Sequence, residues 1–161
     1  MALNAQILLS ILAHESSSGD ISQTLRATPA TYSLALTDGT GANQAQVVWS
    51  DSRTATTSTS TIDLGSLQDD RGTVAMSAIK ALYVRNTGAA SMNWNGGSWA
   101  TGPLSAPGDC AVSVPAGGAM LFVAPTAAGY PVTGSPNTID VDTFSGSTTY
   151  DIILIGEGTV T

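Results

Sequence analysis

Apolar and polar residues alternate along most of this chain, with the period of two expected of strands that bury one face. From Arg26 to Asp38, Tyr32, Leu34 and Leu36 alternate with Ser33, Ala35 and Thr37, and the segment closes on the turn pair Asp38-Gly39. Gln44 to Ser50, with Val47, Val48 and Trp49, is the next predicted strand. Ser52 to Thr61 is almost pure Ser and Thr, which predicts an extended surface strand or a mobile loop that adds little to a core. Ile62 and Leu64 resume an apolar segment before the turn Gln68-Asp69-Asp70-Arg71-Gly72. Ile79 to Asn86 is the strongest strand.

Further on, Met92-Asn93-Trp94-Asn95-Gly96-Gly97-Ser98-Trp99 predicts a hairpin turning on its two glycines. Pro103 to Pro107 is loop. Ala111 to Val114 and Ala119 to Val123 are strands around the tight turn Pro115-Ala116-Gly117-Gly118. Ala127 to Pro131 is a loop leading to Val132. Thr138 to Val141 and Tyr150 to Ile155 are the last strands, separated by Ser145-Gly146-Ser147. About eight to ten short strands without interleaved helices predict an all-β, antiparallel β-sandwich, jelly-roll-like, in a single domain over residues 1–161. The start is ambiguous. Leu3, Ile7, Leu8, Ile11 and Leu12 fit a helical stripe, but a buried strand explains the run equally. Residues 1–15 are an N-terminal arm or an edge strand.

Composition narrows the function classes. Of 161 residues, 42% are hydrophobic and only 11% charged, against about 25% in an average soluble domain. The net charge is −7, and the basic residues Arg26, Arg53, Arg71, Lys80 and Arg85 are scattered. Nucleic acid and anionic membrane both select clustered cations, so neither is an expected partner. The one cysteine, Cys110, leaves no internal disulfide and fits folding in a reducing cytoplasm. The apolar run Ile7 to Leu12 lacks preceding basic residues and is too short to span a bilayer, so it reads as mature protein and not as a signal peptide.

No residue pattern marks catalysis, a cofactor or a metal. His14, beside Glu15, is the one histidine, and a catalytic role would need a nucleophile and an orienting partner. Cys110 carries no local dyad signature. Asp140 and Asp142 share a strand face, Asp69 and Asp70 sit in a turn, and Asp38 and Asp51 flank a strand; none has calcium-loop spacing. Gly96-Gly97 and Gly117-Gly118 lack the lysine or helix of a phosphate cradle. Trp94 and Trp99, with Trp49, are the binding candidates: core residues, protein-interface anchors or sugar-stacking platforms. Ile7, Leu9 and Ile11 are candidate interface residues if Ala2 to Ile11 adds as a strand to a neighbour; a core strand of its own domain is the competing reading.

The run Ala78-Ile79-Lys80-Ala81-Leu82-Tyr83-Val84-Arg85-Asn86-Thr87 is similar to a strand of small virion proteins of tailed bacteriophages. Val114 to Gly118, Ala128 to Val132 and Tyr150 to Gly156 follow in the order such proteins show, as do Leu36 to Gly41, Ala45 and Ser50 to Thr54 earlier. The resemblance spans most of the chain through turn and strand patterns. It implies a head-associated decoration or cement protein, jelly-roll-like and without catalytic residues. Its implied partners are the major capsid protein and itself, as a homotrimer on the virion surface. A glycan- or receptor-binding module, or a minor tail or fibre component, is the alternative.

Overall fold

The alternation in sequence is an alternation of burial. The computed structural model describes residues 2–17, 23–26, 30–104, 111–134 and 136–161, and among these every regular element is a strand. Along β15 (Thr148–Val160), Tyr150, Ile152 and Leu154 are fully buried while Thr149 and Ile153 face outward. Along β14 (Thr138–Thr143), Ile139, Val141 and Thr143 are buried, and the residues between them are half-buried.

Two antiparallel sheets face each other. One runs β11 (Ala111–Val114), β10 (Met92–Asn95), β14 and β7 (Ser60–Asp63). The other runs β12 (Ala119–Val123), β9 (Gly72–Asn86), β15 and β6 (Val47–Ala55). Two short strands, β8 (Leu67–Asp69) and β13 (Tyr130–Pro131), lengthen it by pairing with the first part of β9. The inner faces enclose a core containing Trp49, Trp94, Leu82, Ile152 and Leu154. Trp94 from one sheet meets Tyr150 from the other edge to face, with centroids 5.5 Å apart; this is a favoured aromatic geometry and marks direct sheet-on-sheet contact. The architecture is an antiparallel β-sandwich.

Pairing is nested. The pairs β6–β15, β7–β14, β9–β12 and β10–β11 join early strands to late ones, and β9–β15 and β10–β14 complete the sheets. The steps β6 to β7, β9 to β10, β11 to β12 and β14 to β15 each cross between sheets. Asn86 closes one end of the core. Its amide donates to Ala90 O (2.8 Å) and Val114 O (3.0 Å), and its oxygen accepts from Thr148 Oγ1 (2.8 Å) and Gly88 N (3.1 Å), so a fully buried polar group is fully satisfied.

Two open alternatives are decided and one expectation is corrected. The helical alternative for residues 3–12 fails: β1 (Asn4–Ile11) is a strand, paired antiparallel with β4 (Ala30–Asp38) from Asn4↔Thr37 to Ile11↔Ala30. The Ser/Thr run is strand at both ends, in β6 to Ala55, which is fully buried, and in β7 from Ser60, with exposed Thr56 to Thr59 linking them. Residues Met92 to Trp99 form no hairpin. Gly97 does turn the chain, with φ 52°. But β11 and β14 already occupy both edges of β10, so Trp99 crosses to Thr138, its N–H donating to Thr138 O at 3.2 Å.

A second layer lies on the outer face of the β12-side sheet. There β1, β4 and β5 (Gln44–Ala45) form a three-stranded sheet in that order, β4–β5 being parallel. Leu34, Leu36 and Ala45 are its buried residues, packed with Leu3, Ala5 and Ile7 against Val123 and Ile155 of the sandwich. Beyond it, β2 (His14–Ser17) pairs with β3 (Gln23–Arg26), so the two chain segments continue outward together.

Candidate functional site

The tryptophans are not a binding surface. Trp49, Trp94 and Trp99 are each no more than 1% exposed. Alternation explains Trp94: Met92 and Trp94 face the core, and Asn95 faces out. Trp99 packs edge to face on Tyr130, and its indole N–H donates to Pro131 O at 2.7 Å. The Trp49 indole donates to Gln68 O at 2.9 Å. With polar edges satisfied and faces covered, none of the three can stack on a sugar or anchor a partner. The interface and glycan readings of Trp94 and Trp99 are withdrawn.

The carboxylates are dispersed and engaged. Asp140 accepts from Thr61 Oγ1 (3.1 Å) and Asp142 from Asn93 Nδ2 (2.9 Å), tying strands across the outer face of their sheet. Asp69 accepts from the Arg71 backbone and side chain, and these bonds hold its carboxyl below the usual carboxylate range. Asp51 pairs with Arg53 at 2.8 Å, both on the same side of edge strand β6 as Trp49, and the guanidinium lies 5.7 Å from that ring centroid. Such inward-aimed charge discourages further strands from adding to an edge. Among the described residues no group of three or more His, Cys, Asp or Glu could hold a metal. Cys110 and the side chain of His14 lie outside the described residues.

Lys80, one of the five basic residues scattered along the sequence, lies in β9. It is fully buried, and its ammonium contacts Thr126 O (2.7 Å), Ala127 O (2.6 Å) and Glu157 Oε1 (2.8 Å). Two N–H groups donate to the carbonyls, and the Glu157 carboxylate neutralises the buried charge as an ion pair outside hydrogen-bond geometry. Its placement follows from a β-bulge: Ile155 pairs with Ala81 and Gly156 with Ile79, which passes over Lys80 and re-aims it toward the 126–127 loop. These contacts pin the 126–127 loop to β9. Tyr150, buried beside Arg53, has its phenol pushed up to about 12, chiefly by burial; the guanidinium charge only partly offsets this.

Apart from single residues such as Phe144 and Val160, the exposed apolar surface among the described residues gathers on the β1–β4 pair. One face carries Leu3, Ala5, Ile7, Leu9 and Ile11, directly opposite Leu36, Leu34, Tyr32 and Ala30 from Ala5 outward. Its first half is covered by the sandwich. Its second half is bare: Leu9 is 46%, Ile11 57% and Tyr32 40% exposed. Beside β1 runs a groove of about 540 Å³, walled by Gln6 to Leu9 and floored by Ala81, Tyr83, Leu121 and Ile153 of the outer sheet face. None of these residues is charged. Ile7, Leu9 and Ile11 therefore share one face of an edge strand, whereas Trp94 and Trp99 lie in the core. Comparison of the chain with protein-family models, curated proteins and solved structures returned no match.

Proposed function

We propose that this is a non-enzymatic assembly protein that attaches to other protein subunits through its β1–β4 arm, as a decoration protein on the outer surface of a phage head. The observation that carries this reading is the half-covered apolar face of the arm. Isolated exposed apolar residues are ordinary, but a strip continuous with a packed interface marks a protein contact. Of the exposed large apolar residues, Leu9, Ile11 and Tyr32 lie together on this face; Leu8 lies on the opposite face of β1, and Leu12 just past its end.

The nested pairing supports winding the sandwich as a jelly roll, with β6, β7, β9 and β10 each folded against β15, β14, β12 and β11. That architecture suits the decoration role the sequence resemblance implies. The polar, engaged outer face of the β10-side sheet supports leaving it toward solvent, with major capsid subunits on the arm side. Weak contacts suffice for such a protein, because neighbouring sites on one particle raise the effective concentration of each contact. The buried tryptophans remove the observation on which a glycan-binding alternative rested.

The test uses heads that lack the protein. Adding back the purified chain should restore resistance to heat and osmotic shock, and Ile11→Lys should restore much less. If the intact chain neither binds nor protects such heads, the reading fails.

A further inference from the structure

We propose that the groove beside β1 receives β1 of a second copy of this chain, so that two arms pair antiparallel around a twofold axis near Leu9. The proposal rests on the assembly reading above and names a partner for the same surface.

The register carries the argument. On each chain the sandwich covers the face of β1 up to Ile7 and leaves it bare from Leu9 onward. Antiparallel pairing centred on Leu9 sets Ile7 opposite the partner's Ile11, and the partner's Ile7 opposite Ile11. Directly opposed residues share a face. The bare half of each arm then lies where the other chain's groove runs, with Leu9 and Ile11 over the partner's Tyr83, Leu121 and Ile153. One operation covers both exposed strips. A parallel arrangement would set bare half beside bare half and leave both grooves empty.

The edge itself is open. In the order β1-β4-β5, β1 has no neighbour on its outer side among the described residues. At other edges β6 carries Asp51 and Arg53, β7 and β11 have only four residues, and β12, uncharged, has five. By contrast β1 has eight residues with no charge and no proline. A second copy also fits electrostatically. Copies of a chain with net charge −7 repel overall, but β1 and the groove are uncharged, and β4 carries only Asp38, at the covered end. An occupant must therefore be extended, uncharged and apolar on alternate residues. Within this chain, the bare half of β1 itself meets that description.

Sedimentation equilibrium of the full chain at tens of micromolar tests this without any particle. The expected mass is about twice the 16.2 kDa of one chain. Leu9→Lys should return it to one folded chain with an unchanged far-UV spectrum and a melting temperature that no longer rises with concentration, because the lost contacts are intermolecular and two like charges would face each other at the axis. In a Cys110→Ser background, Leu9→Cys should form an interchain disulfide under mild oxidation, while Ser33→Cys, on the opposite arm face, should not. That pair keeps the test valid if the lysine variant misfolds. A monomeric wild type, a trimer insensitive to Leu9→Lys, or equal crosslinking at both positions overturns the proposal. A monomer that still protects heads defeats this inference alone; a dimer that ignores heads defeats the decoration reading alone.

Discussion

Lys80 and Tyr150 show how far single residues depend on partners distant in sequence. The ammonium of Lys80 is held by two carbonyls and Glu157. Lys80→Met removes the charge and strands Glu157 and the 126–127 carbonyls, which should cost about 3–5 kcal/mol, the usual range for breaking a buried pair. Thermal unfolding would register this at about 2–4 °C per kcal/mol in a chain of this size. Adding Glu157→Gln should cost less than the sum of the two single changes, because the pair acts as a unit. Tyr150 is a pH reporter. Below pH 10 the phenol is neutral in both the folded and unfolded chain, and its contribution is constant. Between about 10 and 12 the unfolded chain releases the proton and the folded chain keeps it, so stability falls with rising pH across that window. Denaturant titrations of Tyr150→Phe should lose that part of the alkaline decline. The Tyr150 burial was legible from its alternation with Ile152 and Leu154. The Lys80 burial was not, because a bulge shifts the parity of β9 and a bulge is defined only against the partner strand.

At the level of elements, the longest pairing, β9 with β15, is bent twice. Its register shifts between Ile155 and Gly156 and again between Glu157 and Gly158. Gly156 permits the first shift: a Cβ there would sit 2.0 Å from Ala78 O, a backbone atom with no room to yield. Gly156→Ala should therefore destabilise by about 1–3 kcal/mol. Gly65→Ala, whose Cβ would meet Asp63 Oδ1 at an ordinary 3.4 Å, should be close to neutral. Chemical denaturation of both variants gives the comparison. Strand existence was readable from local pattern in β4, β6, β9 and β15. Strand partners were not. Trp99 lies just past a glycine turn that reads as a hairpin, yet its course is set by two strands already flanking β10, and one of them lies some forty residues further on. The arm was half legible: Ile7, Leu9 and Ile11 alternate visibly, but only the three-dimensional arrangement separates the covered half from the bare one.

For the whole molecule, nested pairing means that, among the described strands of the sandwich, only β8–β9 and β10–β11 join neighbours in sequence. The all-β class was plain from composition and pattern, since turn residues and short apolar runs recur without helical segments. The order of strands within sheets was not, because it depends on contacts between chain segments about a hundred residues apart. The same nesting governs when the protein can fold. Strand β6 pairs with β15, Val47 opposite Gly156 and Ala55 opposite Thr148, so the earliest sandwich strand has no companion until the latest has been made. Closing such long loops is slow, and unpaired apolar strands are prone to aggregate while they wait. Folding of the sandwich must thus follow synthesis rather than accompany it, with the growing chain kept apart from its copies until β15 clears the ribosome.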